Sequence, residues 1–135
     1  MSLGELALHV ASIPGLMAEF LNVDNFQLPE TTPPPPKTKK EILAAFDENF
    51  AKARAILPTF GGERGNQTWR LSKKGKELIA APRLAMVRPF LFSHFIHHRG
   101  QLTVYLRLLD VAVPSVYGPS ADENPFETAA AAASQ

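Results

Sequence analysis

Apolar and polar positions along the first 21 residues alternate at helical spacing. Leu6, His9, Ile13, Leu16 and Phe20 fall on one face. Ser2 is placed to cap this helix, and Glu5 three residues later completes a capping box. The pattern predicts a helix from there to about Leu21, with a kink at Pro14, which removes one backbone hydrogen bond. Asn22 to Lys37 reads as a loop whose four-proline run, Pro33 to Pro36, is a stiff connector between helices. Thr38 and Glu41 form a second capping box, opening a helix with Ile42, Phe46, Asn49, Phe50, Ala53 and Leu57 inward, ended by Pro58. Residues 59–81 carry no clear period. Gly61, Gly62, Gly65 and Gly75 mark turns, and 68–71 and 77–79 suit short extended pieces around Lys73-Lys74-Gly75, with Trp69 plugging the interior. A last helix starts near Pro82, or after Pro89, and runs to about Asp110. On it Leu91, His94, Phe95, His98, Leu102, Tyr105 and Leu109 share a face. The predicted class is all-α.

Composition changes this picture little. A chain of 135 residues, 45% hydrophobic and 20% charged, suits one globular domain with a single core. We divide it into a helical domain over 1–123, closed by the turn-rich stretch 113–123, and a low-complexity tail over 124–135 that includes the run Ala129–Ala133. A net charge of +1 gives no electrostatic footprint for nucleic acid. The glycines at 61–65 lack the pattern of a phosphate-binding loop. No apolar run approaches a membrane span, and the start lacks the basic region of a signal peptide. With no cysteine, disulfides, a thiol nucleophile and thiolate metal ligands are excluded, and a cytoplasmic location is expected.

The chemistry-bearing residues are histidines. His94 and His98 are four apart, so their imidazoles project from adjacent turns of one face, while His97 points roughly 100° away from His98. Neutral imidazoles on a rigid helix bind first-row metals well. The same spacing also suits two half-buried histidines satisfied by backbone or water. His9 lies on the apolar stripe of the first helix, either as a satisfied core histidine or as a further ligand. Glu5, one turn earlier, reaches the same region or serves only the helix dipole.

Three stretches carry a family resemblance. Residues 94–107 read HFIHHRGQLTVYLR and 113–123 read VPSVYGPSADE; residues 3–11 read LGELALHVA. Together they resemble the DinB-like family of damage-inducible metalloenzymes over Leu3 to about Glu123. The resemblance implies an up-down four-helix bundle with one metal held by His9, His94 and His98, and metal-dependent chemistry of the thiol S-transferase, isomerase or hydrolase kind. Three long helices are expected here, without the further helix that in the family usually precedes the one bearing the first histidine; either the start is truncated or a partner chain supplies that packing surface.

Two functional readings follow. In one, the chain is an enzyme: a divalent ion, zinc or nickel, activates water or a low-molecular-weight thiol cosubstrate for a small-molecule substrate. Glu5, Gln101, Tyr105 and Tyr117 are then the candidate pocket residues. In the other, it is a metal-binding stress-response or interaction module without turnover. Phe92 and Ile96 lie roughly 120–160° around the helix from His98, and Leu3 and Ala7 turn away from His9. That pattern predicts a homodimer burying these positions.

Overall fold

The first helix, α1 (Leu3–Asn22), starts where its capping box forms. The Ser2 hydroxyl accepts from the Glu5 N–H at 3.3 Å, and the Glu5 carboxylate accepts from the Ser2 N–H at 2.5 Å. The helix is continuous through Pro14, which is buried within it. The structure, a computed structural model, describes residues 1–30, 34–36 and 38–127. Pro33 of the proline run, and the tail from residue 128 with its alanine run, lie outside the described residues.

A three-residue strand, β1 (Asn25–Gln27), follows α1, and α2 (Lys39–Ile56) is capped by the Thr38 hydroxyl, which accepts from Glu41 N–H at 3.2 Å. A 3₁₀ turn (Leu57–Phe60) and the short α3 (Gly62–Asn66) lead to the hairpin β2 (Thr68–Lys73) and β3 (Lys76–Pro82). Helix α4 (Arg83–Val87) then passes through a π-helical segment, Arg88–Ser93, directly into α5 (His94–Leu108).

These strands overturn the expected all-α four-helix bundle. They form one mixed sheet in the order β1-β2-β3, parallel between β1 and β2 and antiparallel between β2 and β3. Residues 68–73 explain why. Trp69 and Leu71 are buried while Thr68 and Arg70 are exposed, and only a period of two puts Trp69 and Leu71 on one face. The Lys74-Gly75 loop has positive φ at both residues, 50° and 78°, the two-residue turn whose twist suits a hairpin. A register shift between Leu71 and Ser72, which pair with Ile79 and Glu77, leaves Leu78 as an extra residue on β3.

The chain divides into two compact units, residues 1–99 and 100–135. In the first, the sheet closes over the end of α1. Phe20, Leu21, Phe60, Trp69 and Leu71 form its core. The Phe20 ring lies 4.8 Å from Trp69 and 5.2 Å from Phe90 of the π segment, and the Trp69 indole N–H donates to the Phe20 carbonyl at 3.1 Å. Trp69 therefore plugs the interior with its polar atom satisfied.

The carboxyl end of α1 has no basic residue of its own in the last turn. Arg83 and Arg64 supply the positive charge from elsewhere. Fully buried Arg83 donates to the carbonyls of Leu21 and Val23 and pairs with Asp24. Arg64 donates to the Asn22 carbonyl at 3.0 Å and to its side-chain oxygen at 2.7 Å. Helix-end carbonyls carry partial negative charge, so two guanidinium groups there both satisfy orphan acceptors and offset the dipole. Because Arg83 opens α4, this clamp ties the end of the first long helix to the start of the last helical run.

Helices α1 and α2 meet at Gly15. A Cβ there would lie 2.7 Å from the Asn49 Cα, so only glycine permits the approach. Of the positions expected to face inward on α2, Asn49 and Ala53 are buried, but Phe46 and Phe50 are exposed and stack on each other at 5.7 Å. Leu16 of α1, expected on the buried face, is also exposed. In the C-terminal unit α5 ends in a left-handed residue, Asp110 (φ 56°). Val111 N–H donates to Leu106 O at 3.0 Å and Asp110 N–H to Arg107 O at 3.1 Å, a Schellman ending. The segment after it turns back on the helix end. Asp122 pairs with Arg107 and accepts from the Val113 N–H at 2.8 Å. Among the described residues, no helix is long and apolar enough to cross a membrane.

Candidate metal centre

Three histidines from two helices converge within the first unit. His9 comes from the second turn of α1, and His94 and His98 from the first turn and a half of α5. One ring nitrogen of each lies within 4.8 Å of the others. The ring centroids are 4.5 Å apart for His9 and His98, 5.1 Å for His9 and His94, and 4.8 Å for His94 and His98. The i, i+4 spacing on α5 does what it must: two imidazoles on adjacent turns face α1 together. All three side chains are half-buried.

The His9 and His94 Nε2 atoms are 3.2 Å apart. Two nitrogens bound at about 2.0–2.1 Å to one tetrahedral ion sit roughly 3.3 Å apart, so this pair needs almost no movement to share a metal. The His94 Nδ1 lies 3.3 Å from the Phe90 carbonyl oxygen. A carbonyl only accepts, so a hydrogen bond at this contact uses the Nδ1–H tautomer. In the neutral ring, Nε2 then presents its lone pair to the other two histidines. A metal-ligating imidazole is commonly held this way, by a backbone acceptor on its far nitrogen. The donor set fits a divalent first-row ion.

Electrostatics favours the same state. Burial, then the positive charges that His98 and His94 would carry, hold the His9 pKa below its ordinary value. Burial and the neighbouring His98 also lower that of His94, and the Phe90 carbonyl only partly opposes them. Both rings are therefore biased toward the neutral form, the one that binds metal.

His97 and Glu5 are not part of the converging group. His97 is exposed, its ring 4.8 Å from that of His98 but outside the converging group. The Glu5 carboxylate is engaged with the Ser2 N–H, which holds its pKa below the usual carboxylate value. Gln101, Tyr105 and Tyr117 belong to the second unit and are exposed. Sequence reasoning missed the Phe90 carbonyl, since a backbone oxygen has no side-chain signature. Pro89 beside it was the available signal.

A family model described as the DinB family matches residues 1–128. A Bacillus subtilis (strain 168) protein described as "Uncharacterized protein YrdA" is 29% identical over 123 residues, covering 90% of this chain and 70% of that protein. No solved structure matches the chain.

Proposed function

The chain belongs to the DinB family, and from that premise we propose that His9, His94 and His98 hold one divalent metal, zinc or nickel, in a metal-dependent hydrolase or thiol S-transferase. One observation carries the reading: three imidazole nitrogens from two helices lie within 4.8 Å of one another, with the His94 lone pair turned toward them by the Phe90 carbonyl. Three protein ligands leave a position for water or substrate, the arrangement of catalytic rather than closed structural sites. A divalent ion bound there supplies a Lewis acid that lowers the pKa of a water or of a thiol cosubstrate.

The chain's own residues do the rest. The clamp of Arg83 on the end of α1 and the packing of Phe90 on Phe20 hold the two histidine-bearing helices at a set distance. Half-burial of the three rings removes part of their water and biases His9 and His94 toward the neutral form. Elemental analysis of purified protein tests the assignment: wild type carries stoichiometric metal and His98→Ala loses it. Equal metal in both removes His98 from the site.

A metal-binding module without turnover is the second reading. It is favoured by the engagement of Glu5 in the helix cap and by a converging group with no carboxylate among the described residues. Turnover of activated esters, or of electrophiles with a low-molecular-weight thiol, separates the two. Metal-loaded protein that turns over neither class supports the module.

A further inference from the structure

The segment leading into His94 is not an α-helix. From Arg88 to Ser93 the backbone widens into a π-helical turn, with Pro89 as its second residue. The cause is local. In an α-helix, residue 89 would donate its N–H to the carbonyl of Ala85, but proline has none and its ring crowds that carbonyl. Widening the turn moves hydrogen bonding past the missing donor, and π turns of this kind are frequent at functional sites.

Where the π turn closes, the backbone bonding of the next residue changes as well. In a regular α-helix the Phe90 carbonyl would take the backbone N–H of His94. Here that N–H donates to the Leu91 carbonyl, and the His94 ring approaches Phe90 instead, Nδ1 to oxygen at 3.3 Å. The backbone bond to Leu91 spans three residues, the tighter closure at the end of the π turn, and it leaves the Phe90 carbonyl to the imidazole. The acceptor sets the Nδ1–H tautomer and aims Nε2 at His9, 3.2 Å away. The turn is also anchored: Leu91 is buried and the Phe90 ring packs 5.6 Å from Trp69. The carbonyl is therefore held against the core of the first unit and is not free to drift with the helix.

We propose that Pro89 is a positioning residue for the three-histidine site. By forcing the π turn, it gives the Phe90 carbonyl to the His94 ring and so fixes the tautomer and direction of that ligand. The inference rests on the reading of His9, His94 and His98 as metal ligands, but its first test does not need metal.

The test is Pro89→Ala. Alanine restores the missing N–H and is the best helix former, so the variant folds. In metal-free protein, nitrogen-15 NMR of the imidazoles shows wild-type His94 as the Nδ1–H tautomer, and Pro89→Ala shows it as the Nε2–H form or a mixture. With Co²⁺ as a spectroscopic probe, Pro89→Ala binds about 10- to 100-fold more weakly than wild type, the usual effect of losing a partner behind a metal-ligating histidine. Its cobalt absorption bands also shift, while its metal-free melting temperature stays equal or rises. In a His94→Ala background the added Pro89→Ala change has no further effect on Co²⁺ affinity, which a general structural role would not predict. An unchanged tautomer in Pro89→Ala, or an Nε2–H tautomer already in wild type, overturns the proposal. Unchanged Co²⁺ affinity and spectrum in the variant overturn it as well. If wild type binds no Co²⁺, the three-histidine reading fails, and the NMR comparison still decides the role of Pro89.

Discussion

Gly15→Ala places two effects of opposite sign in competition at one atom. Gly15 lies in the interior of α1, where alanine is favoured over glycine by about 1 kcal/mol from helix propensity alone. Against this, the new Cβ would sit 2.7 Å from the Cα and 2.8 Å from the Cβ of Asn49 on α2. Carbon atoms rest at about 3.5–4.0 Å, so the two helices must part by roughly 1 Å. The obstructing Cα is backbone and cannot rotate away. Overpacking of this kind costs about 1–3 kcal/mol, and a backbone obstacle belongs at the upper end. The net expectation is a loss of about 2 kcal/mol, a fall in melting temperature of roughly 5–8 °C for a chain this size. Thermal unfolding followed by circular dichroism, with metal removed from both proteins, measures it. Asn49→Ala does not rescue the variant, because the Asn49 Cα and a Cβ both remain. A melting temperature equal to or above wild type would refute the reasoning, since helix propensity alone predicts that outcome. The loss matters for the site because His9 is on the same helix, six residues upstream and so about 9 Å along its axis.

Removing the metal with a chelator is expected to lower the melting temperature, because an ion bound only by the folded chain stabilises it by mass action; no change would count against a site joining α1 to α5. Metal-free stability should fall as pH drops below the ordinary histidine value of 6.5. The folded chain lowers the pKa of His9 and His94, so the unfolded chain binds more protons in that window and stability rises with pH. Urea midpoints at pH 7.5 and 5.5 measure the slope, which should flatten in the His9→Ala, His94→Ala double variant; equal slopes would contradict the direction of the shifts. A two-fold homodimer is expected to cover Phe92 and Ile96, which are 52% and 44% exposed. Light scattering at micromolar concentration checks the mass, Phe92→Glu should break the dimer with metal content unchanged, and a strictly monomeric mass ends the idea.

Much of the candidate site was legible because its parts are local. An i, i+4 histidine pair faces one way on any helix, and His9 falls on the apolar stripe of α1 wherever that helix packs. The two capped helix starts, at Ser2 and Thr38, follow from hydroxyls and carboxylates that reach no further than three residues. The three strands were not legible as a sheet. β1 is three residues long and exists because Asn25, Phe26 and Gln27 pair with Arg70, Leu71 and Ser72, more than 40 positions later. No local period announces such a pairing, and the extended reading of 68–71 and 77–79 did not by itself say that the two would pair, or with what.

Sequence alone thus determined the first two helix starts, the absence of a cysteine thiol and the three histidines that share inward faces. These depend on neighbouring residues and on residue type. The tertiary structure decided the rest. It determined that Trp69 and Leu71 close a sheet over the end of α1, that Arg83 and Arg64 cap that end from distant positions, and that Phe46 and Phe50 stay exposed. It also brought the Nδ1 of His94 to the Phe90 carbonyl. Each of these is a contact between residues far apart in the chain, or a backbone geometry held by such contacts, and its energy does not exist until both partners are in place.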